Sequence, residues 1–310
     1  MVIRKYLNPK NDVAFKRIFG TEKNKDILIS MLNAVVGNQL HTPIHEITFL
    51  SPFQEPEAWA QKQSVVDVLC KDQDDCQYII EMQVANAKGF EERAQYYASK
   101  AFINQCKEGG EYENLKEVIF LAFCDFSIFP KKADYKSEHV ILDKKTQERD
   151  LDKFSFTFVD LIKFDEQRAK SVDQLTLEEK FYYFLKHAED IDPQVLSTLI
   201  GQDKIIKKAF HELERFGWSE EEMRMYDAEV KRLWDNQAML NFAIEKGEKR
   251  GLRKGRKEGI KKGRTEGIKE GKQAREKEIA RQMLAKGLDI NLISEVTGLT
   301  PSEISQLGSP

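Results

Sequence analysis

At 310 residues the chain can bury a full core and carry a second domain, and with 41% apolar and 33% charged residues it reads as a soluble, highly charged protein. No run approaches the roughly 18–20 apolar residues of a membrane span, and Met1-Val2-Ile3-Arg4-Lys5-Tyr6 lacks the apolar centre of a secretory signal, so a cytoplasmic setting without membrane contact is expected. The net charge of −3 hides an asymmetry: residues 245–278 hold fourteen Lys or Arg against seven Glu, which leaves the remainder at −10. In chain order, residues 12–19 place Phe15, Ile18 and Phe19 at helical spacing, flanked by Asp12 and Lys16, with Gly20 set to stop the helix in the left-handed region. A second helix is expected over 26–36, ending at Gly37, and strands around 44–50, 64–69 and 78–83. A helix over 90–106 then leads through Gly109-Gly110 to the apolar run 118–123, and runs at 138–142 and 155–161 extend the sheet. This alternation predicts a mixed α/β layer structure. Cys70, Cys76, Cys106 and Cys124 lack CxxC spacing and fall in or beside apolar runs, which marks them as reduced core thiols.

Residues 166–244 turn helical, with aromatic and leucine side chains three and four apart, and Phe210, Leu213 and Phe216 read as core. Gly247, Gly251, Gly255, Gly259, Gly263, Gly267 and Gly271 then recur every four residues among Lys, Arg and Glu. A four-residue step overshoots the helical turn by about 40°, so these glycines spiral around the axis. Each costs about 0.8–1 kcal/mol relative to alanine, so 245–275 is expected to be a marginal helix or a basic tether. Residues 276–310 form a small helical module, with Thr300-Pro301-Ser302-Glu303 as a capping box. Its last helix offers Ser302, Ser305 and Gln306 but no Arg or Lys, which favours a protein-interaction module over a helix-turn-helix.

The chemistry concentrates in two short apolar runs, Ser64-Val65-Val66-Asp67-Val68-Leu69 and Gln77-Tyr78-Ile79-Ile80-Glu81-Met82-Gln83. The Asp-rich break between them predicts a hairpin. Centred on Asp74, its register sets Asp67 opposite Glu81 and Val65 opposite Gln83. Two adjacent carboxylates in oily strands call for a positive partner, and a hard divalent cation with oxygen ligands fits. Other chemistries find no support. His41 and His45 stand four apart, but Pro43 between them argues against a helix. Neither a phosphate-binding loop nor a nucleophile elbow is present.

Four segments in this order resemble the PD-(D/E)xK nuclease superfamily, and within it the recombination-promoting nuclease and transposase family. They are Asn11-Asp12-Val13-Ala14-Phe15-Lys16-Arg17-Ile18-Phe19-Gly20, Val66-Asp67-Val68-Leu69, Ile80-Glu81-Met82-Gln83 and Arg93-Ala94-Gln95-Tyr96-Tyr97-Ala98-Ser99-Lys100. The likeness covers roughly residues 5–165 and continues more weakly to the C-terminus. It implies a restriction-endonuclease-like mixed sheet flanked by helices over residues 1–165, and a Mg²⁺-dependent DNA endonuclease, with Mn²⁺ as a substitute. Asp67, Glu81 and the Met82 carbonyl would hold the metal, and Asp12 a second ion or a water. Gln83 stands where the superfamily has lysine; it would position water, with Lys16 or Lys100 supplying the missing charge. Arg93, Tyr97 and Lys100, at i, i+4 and i+7 on one helix face, would meet DNA. A homodimer is expected, since cutting both strands takes two sites. A catalytically inactive DNA-binding scaffold is the other reading, kept open by Gln83.

Overall fold

Asn11 opens the first helix in the computed structural model, which describes residues 4–54, 64–106 and 111–307. Its side chain accepts the amides of Val13 and Ala14, capping α1 (Asp12–Phe19). Gly20 ends α1 at φ −115°, outside the left-handed region expected of it. What requires glycine is close approach, because a Cβ there would stand 2.8 Å from the Lys16 carbonyl oxygen and 3.3 Å from Val68 Cγ2. α2 (Lys25–Val36) follows and buries Ile27, Leu28, Met31, Leu32, Val35 and Val36. Gly109 and Gly110 lie outside the described residues.

Eight strands form β1 (Ile47–Phe49), β2 (Phe53–Gln54), β3 (Ser64–Val65), β4 (Val68–Asp72), β5 (Gln77–Gln83), β6 (Val118–Cys124), β7 (Lys136–Val140) and β8 (Phe154–Asp160) among the described residues. Six of them build one sheet in the order β1-β4-β5-β6-β8-β7, while β2 and β3 pair separately. The β5–β6–β8 centre is parallel and the flanking pairs are antiparallel. Parallel strands covered on both faces read as unbroken apolar runs, as β6 does: all seven of its residues are buried. The β4–β5 register matches the hairpin expectation, with Val68 opposite Ile80 and Cys70 opposite Tyr78. Asp72 sets it. Its buried carboxylate accepts the amides of Asp74 (2.9 Å) and Cys76 (3.0 Å) and the Tyr78 hydroxyl (2.7 Å), and Asp75 takes φ +64° at the turn. Val65 departs from expectation. It pairs with Phe53 instead of extending toward Gln83, so the run expected over 64–69 breaks at Val66-Asp67.

One face of the sheet carries α3 (Phe90–Ile103), through Phe90, Ala94, Ala98 and Ala101. The other carries α1, α2, α4 (Leu161–Gln167), α5 (Leu177–His187), α6 (Pro193–Ile200) and α7 (Lys204–Glu212). Phe181, Phe184, Phe210 and Leu213 share that core with Phe15 and Phe19, so the boundary expected at residue 165 does not separate two packed bodies. Phe216, expected in the core, is 88% exposed. Met1–Arg232 and Leu233–Pro310 are the two compact units of the chain, and the division falls within α8 (Glu220–Ala285).

The first turns of α8 belong to the first unit. Met223 and Val230 pack on its core, Arg17 donates to Glu222, and the Tyr226 hydroxyl accepts the Asn8 amide at 3.0 Å. Farther along, the glycine repeat is helical throughout, and a Cβ at any of its seven glycines would meet nothing within 4 Å. Lys, Arg and Glu between the glycines are strong helix formers, and Glu245–Lys249, Lys254–Glu258 and Lys272–Glu276 pair along the surface. The second unit ends in α9 (Ile290–Thr297) and α10 (Pro301–Leu307), which enclose Ala280, Ile293, Leu299 and Ile304. Among the described residues, no helix is long and apolar enough to cross a membrane.

Candidate active site

The break at Val66-Asp67 builds the site. A residue inside the β4–β5 ladder would bond its N–H to the neighbouring strand. Asp67 lies one step outside β4, and its N–H donates instead to Glu81 Oε1 at 3.2 Å. In return the Met82 N–H donates to Asp67 Oδ2 at 2.9 Å. These two side chain–backbone bonds fix the carboxylates side by side. Met82 therefore touches Asp67 through its amide. Its carbonyl, named in the sequence reading, opens toward the same neighbour because both polar groups of a strand residue face one side.

Glu81 is 3% exposed and Asp67 half-buried. Burial, then the negative charge of Asp67, pushes the Glu81 carboxyl up to about 8. Burial and the nearby Asp12 push Asp67 up to about 7, against the opposing Met82 amide and Lys16. Lys16 Nζ, 2.9 Å from Asp12 Oδ1 and 3.7 Å from Asp67 Oδ1, bridges those two acids. Burial works against its charge, but the acids outweigh it and its pKa is raised.

On the α3 side, Gln83 Nε2 donates to Glu81 Oε2 at 2.8 Å, and Arg93 Nη2 donates to Gln83 Oε1 at 2.8 Å. Arg93 lies over the rings of Phe90 and Tyr97, 5.0 and 5.9 Å from their centroids. Burial and the charge of Glu81 raise the half-buried Tyr97 hydroxyl. The fold therefore gathers Asp12, Lys16, Asp67, Glu81, Met82, Gln83, Arg93 and Tyr97. Lys100 is 8% exposed and sits two turns farther along α3, about 10 Å from Arg93 along the axis.

Two supports were not legible in the sequence. The Asp125 amide donates to the Gln83 carbonyl at 2.8 Å, and its carboxylate takes Lys10 (2.7 Å) and Lys186 (2.6 Å). Arg232, on α8, is held by Glu229 and feels the charge of Asp12. Neither lies in a recognisable motif.

The donor set suits a hard divalent cation. It consists of carboxylate oxygens, and the two acids, held side by side, keep raised pKa values despite Lys16 beside Asp67 and Arg93 behind Gln83. Among the described residues no three His, Cys, Asp or Glu side chains converge on one point. Asp67 and Glu81 are thus the two side chains that fit, and such an ion keeps several waters.

The family model described as PD-(D/E)XK nuclease family transposase matches residues 9–243, and that described as Rpn/YhgA-like nuclease family, C-terminal HTH domain, matches residues 273–309. The second match corrects the preference for a protein-interaction module. No curated protein and no solved structure matches the chain.

Proposed function

Since the chain belongs to the PD-(D/E)XK nuclease family, whose enzymes generally use divalent metal ions, we propose that it is a Mg²⁺-dependent DNA endonuclease of the recombination-promoting, transposase-related kind. The observation that carries this reading is the Asp67–Glu81 pair, locked by reciprocal bonds to each other's strands.

Asp67, Glu81 and the Met82 carbonyl would hold Mg²⁺ or Mn²⁺, and Asp12 a second ion or a water. The ion, when bound, neutralises charge on the scissile phosphate and makes water acidic enough to attack near neutral pH. Lys16 keeps its proton between Asp12 and Asp67, and so can donate to the negative charge that develops at the phosphorus. One Gln83 N–H is spent on Glu81, and the second can orient the attacking water. Tyr97 packs beside Arg93 and closes the wall of the site. The basic repeat adds sequence-independent affinity by releasing counterions from the duplex. The helix-turn-helix module at the C-terminus is a second point of DNA contact. Two such bodies, as in a homodimer, would cut both strands.

The test is nicking of supercoiled plasmid with and without Mg²⁺, with Asp67→Ala beside the parent. Parent activity that needs the metal and vanishes in the variant is expected. Equal activity in the two proteins would end the proposal. Gln83 favours a non-catalytic DNA-binding scaffold as the alternative, and that reading takes over if calorimetry finds no Mg²⁺ or Mn²⁺ binding.

A further inference from the structure

A neutral residue occupies the position where the resembled motif has a cation, and the structure places a guanidinium one hydrogen bond behind it. Arg93 Nη2 reaches Gln83 Oε1 at 2.8 Å, and Gln83 Nε2 reaches Glu81 Oε2 at 2.8 Å. The chain Arg93–Gln83–Glu81 is therefore continuous from cation to carboxylate. Arg93 is also pinned. It lies over Phe90 and Tyr97, and its Nε is buried without a hydrogen-bond partner among the described residues. A guanidinium so placed costs no rearrangement when charge develops nearby.

We propose that Arg93 is a positioning residue that acts through Gln83, and that residues 83 and 93 together carry the single positive charge a motif lysine would supply alone. This rests on the nuclease reading of the site. Gln83 gives the correct geometry, its amide polarised by Arg93 on one side and fixed by Glu81 on the other. Arg93 gives the charge. A lysine at 83 would extend one atom beyond the glutamine amide and bring a second cation against Arg93. Like charges at that separation repel, and both would repel a divalent ion held by Glu81. A charge-conserving exchange of the two positions removes the conflict.

The experiment compares the full-length parent with Gln83→Lys, Arg93→Gln and the double exchange, reading Mn²⁺ affinity by calorimetry and plasmid nicking as kcat and KM. Gln83→Lys should weaken Mn²⁺ binding about tenfold and Arg93→Gln should tighten it, because one adds a cation beside the metal and the other removes one. Both single variants should lose at least about tenfold in kcat with little change in KM. The double exchange should return to within about threefold of the parent in affinity and rate, a recovery that independent structural damage cannot produce. Additive losses in the double exchange would overturn the pairing, as would a Gln83→Lys protein as active as the parent. An Arg93→Gln effect confined to KM and its salt dependence would overturn it too, making Arg93 a plain phosphate contact. If the parent neither binds Mn²⁺ nor nicks, the nuclease reading itself falls. Parent activity with no recovery in the exchange removes the pairing alone.

Discussion

The α/β body and the glycine-repeat stretch of α8 use charge in opposite ways. At the candidate site of the body, charged groups are largely withdrawn from water and engaged: Glu81 is bonded to the Asp67 amide and to Gln83, and Asp125 to two lysines. In the repeat they are many and exposed, and their pairs span four residues of one helix. The difference lies in the surrounding medium. Burial in the body raises the two carboxyls to about 7 and 8, with the neighbouring acid charges adding to it, whereas water around the repeat screens each pair to a few tenths of a kcal/mol. The body can therefore hold chemistry, and the repeat can hold only a diffuse field.

The sharpest way to break that contrast is to remove one buried charge while keeping its shape. Asp67→Asn or Glu81→Gln should lower Mg²⁺-dependent nicking by about 10³-fold or more while far-ultraviolet circular dichroism stays that of the parent. A loss below tenfold would mean the pair is merely structural.

Next in size is the response to pH without metal. Both acids have folded-state pKa values above their ordinary ones of 3.8 and 4.5, so the folded state binds more protons than the unfolded. The stability they contribute is full at acid pH and is lost as pH rises toward 7 and 8. Metal-free Tm should fall by roughly 5–10 °C between pH 5 and 8. Mg²⁺ should restore it, and Asp67→Asn should flatten the profile. A metal-free Tm that rises over this range would contradict the burial argument.

For the repeat, changing Lys254, Arg256 and Lys257 to Gln should make the slope of log affinity against log salt shallower by about 2–3 on nonspecific duplex DNA. Nicking of plasmid at low salt should change far less. An unchanged slope would take the repeat out of DNA binding.

The smallest effects compare backbone terms in the two regions. Gly255→Ala has open space around the new methyl and should add about 0.8–1 kcal/mol to the helix, read as thermal loss of helicity. Asn11→Ala should cost the body about 1 kcal/mol by removing the α1 cap. Gly20→Ala sharpens the point, because there the added methyl would press on the Lys16 carbonyl and destabilise.

Most of the body was legible before folding. Tyr78, Ile79 and Ile80 form an apolar run between the polar ends of β5, Phe15, Ile18 and Phe19 mark one helical face, and a centre at Asp74 sets the hairpin register, all of it local pattern. Asp67 and Glu81 could be named for the same reason, since register depends on short-range turn chemistry, whereas Gln83 is named by the family resemblance. Phe216 was misread because spacing alone does not say whether a neighbour exists to cover it.

The sequence by itself determined the order of elements, the hairpin and the identities of the acids, because these follow from repeats of two and 3.6 residues and from side-chain chemistry. Only the tertiary structure decided which cations serve the acids. Lys16 comes from another helix, fifty-one residues before Asp67, and Arg93 from a third element on the opposite face of the sheet. Contacts between distant segments are set by how layers pack, and no periodicity along the chain records that distance.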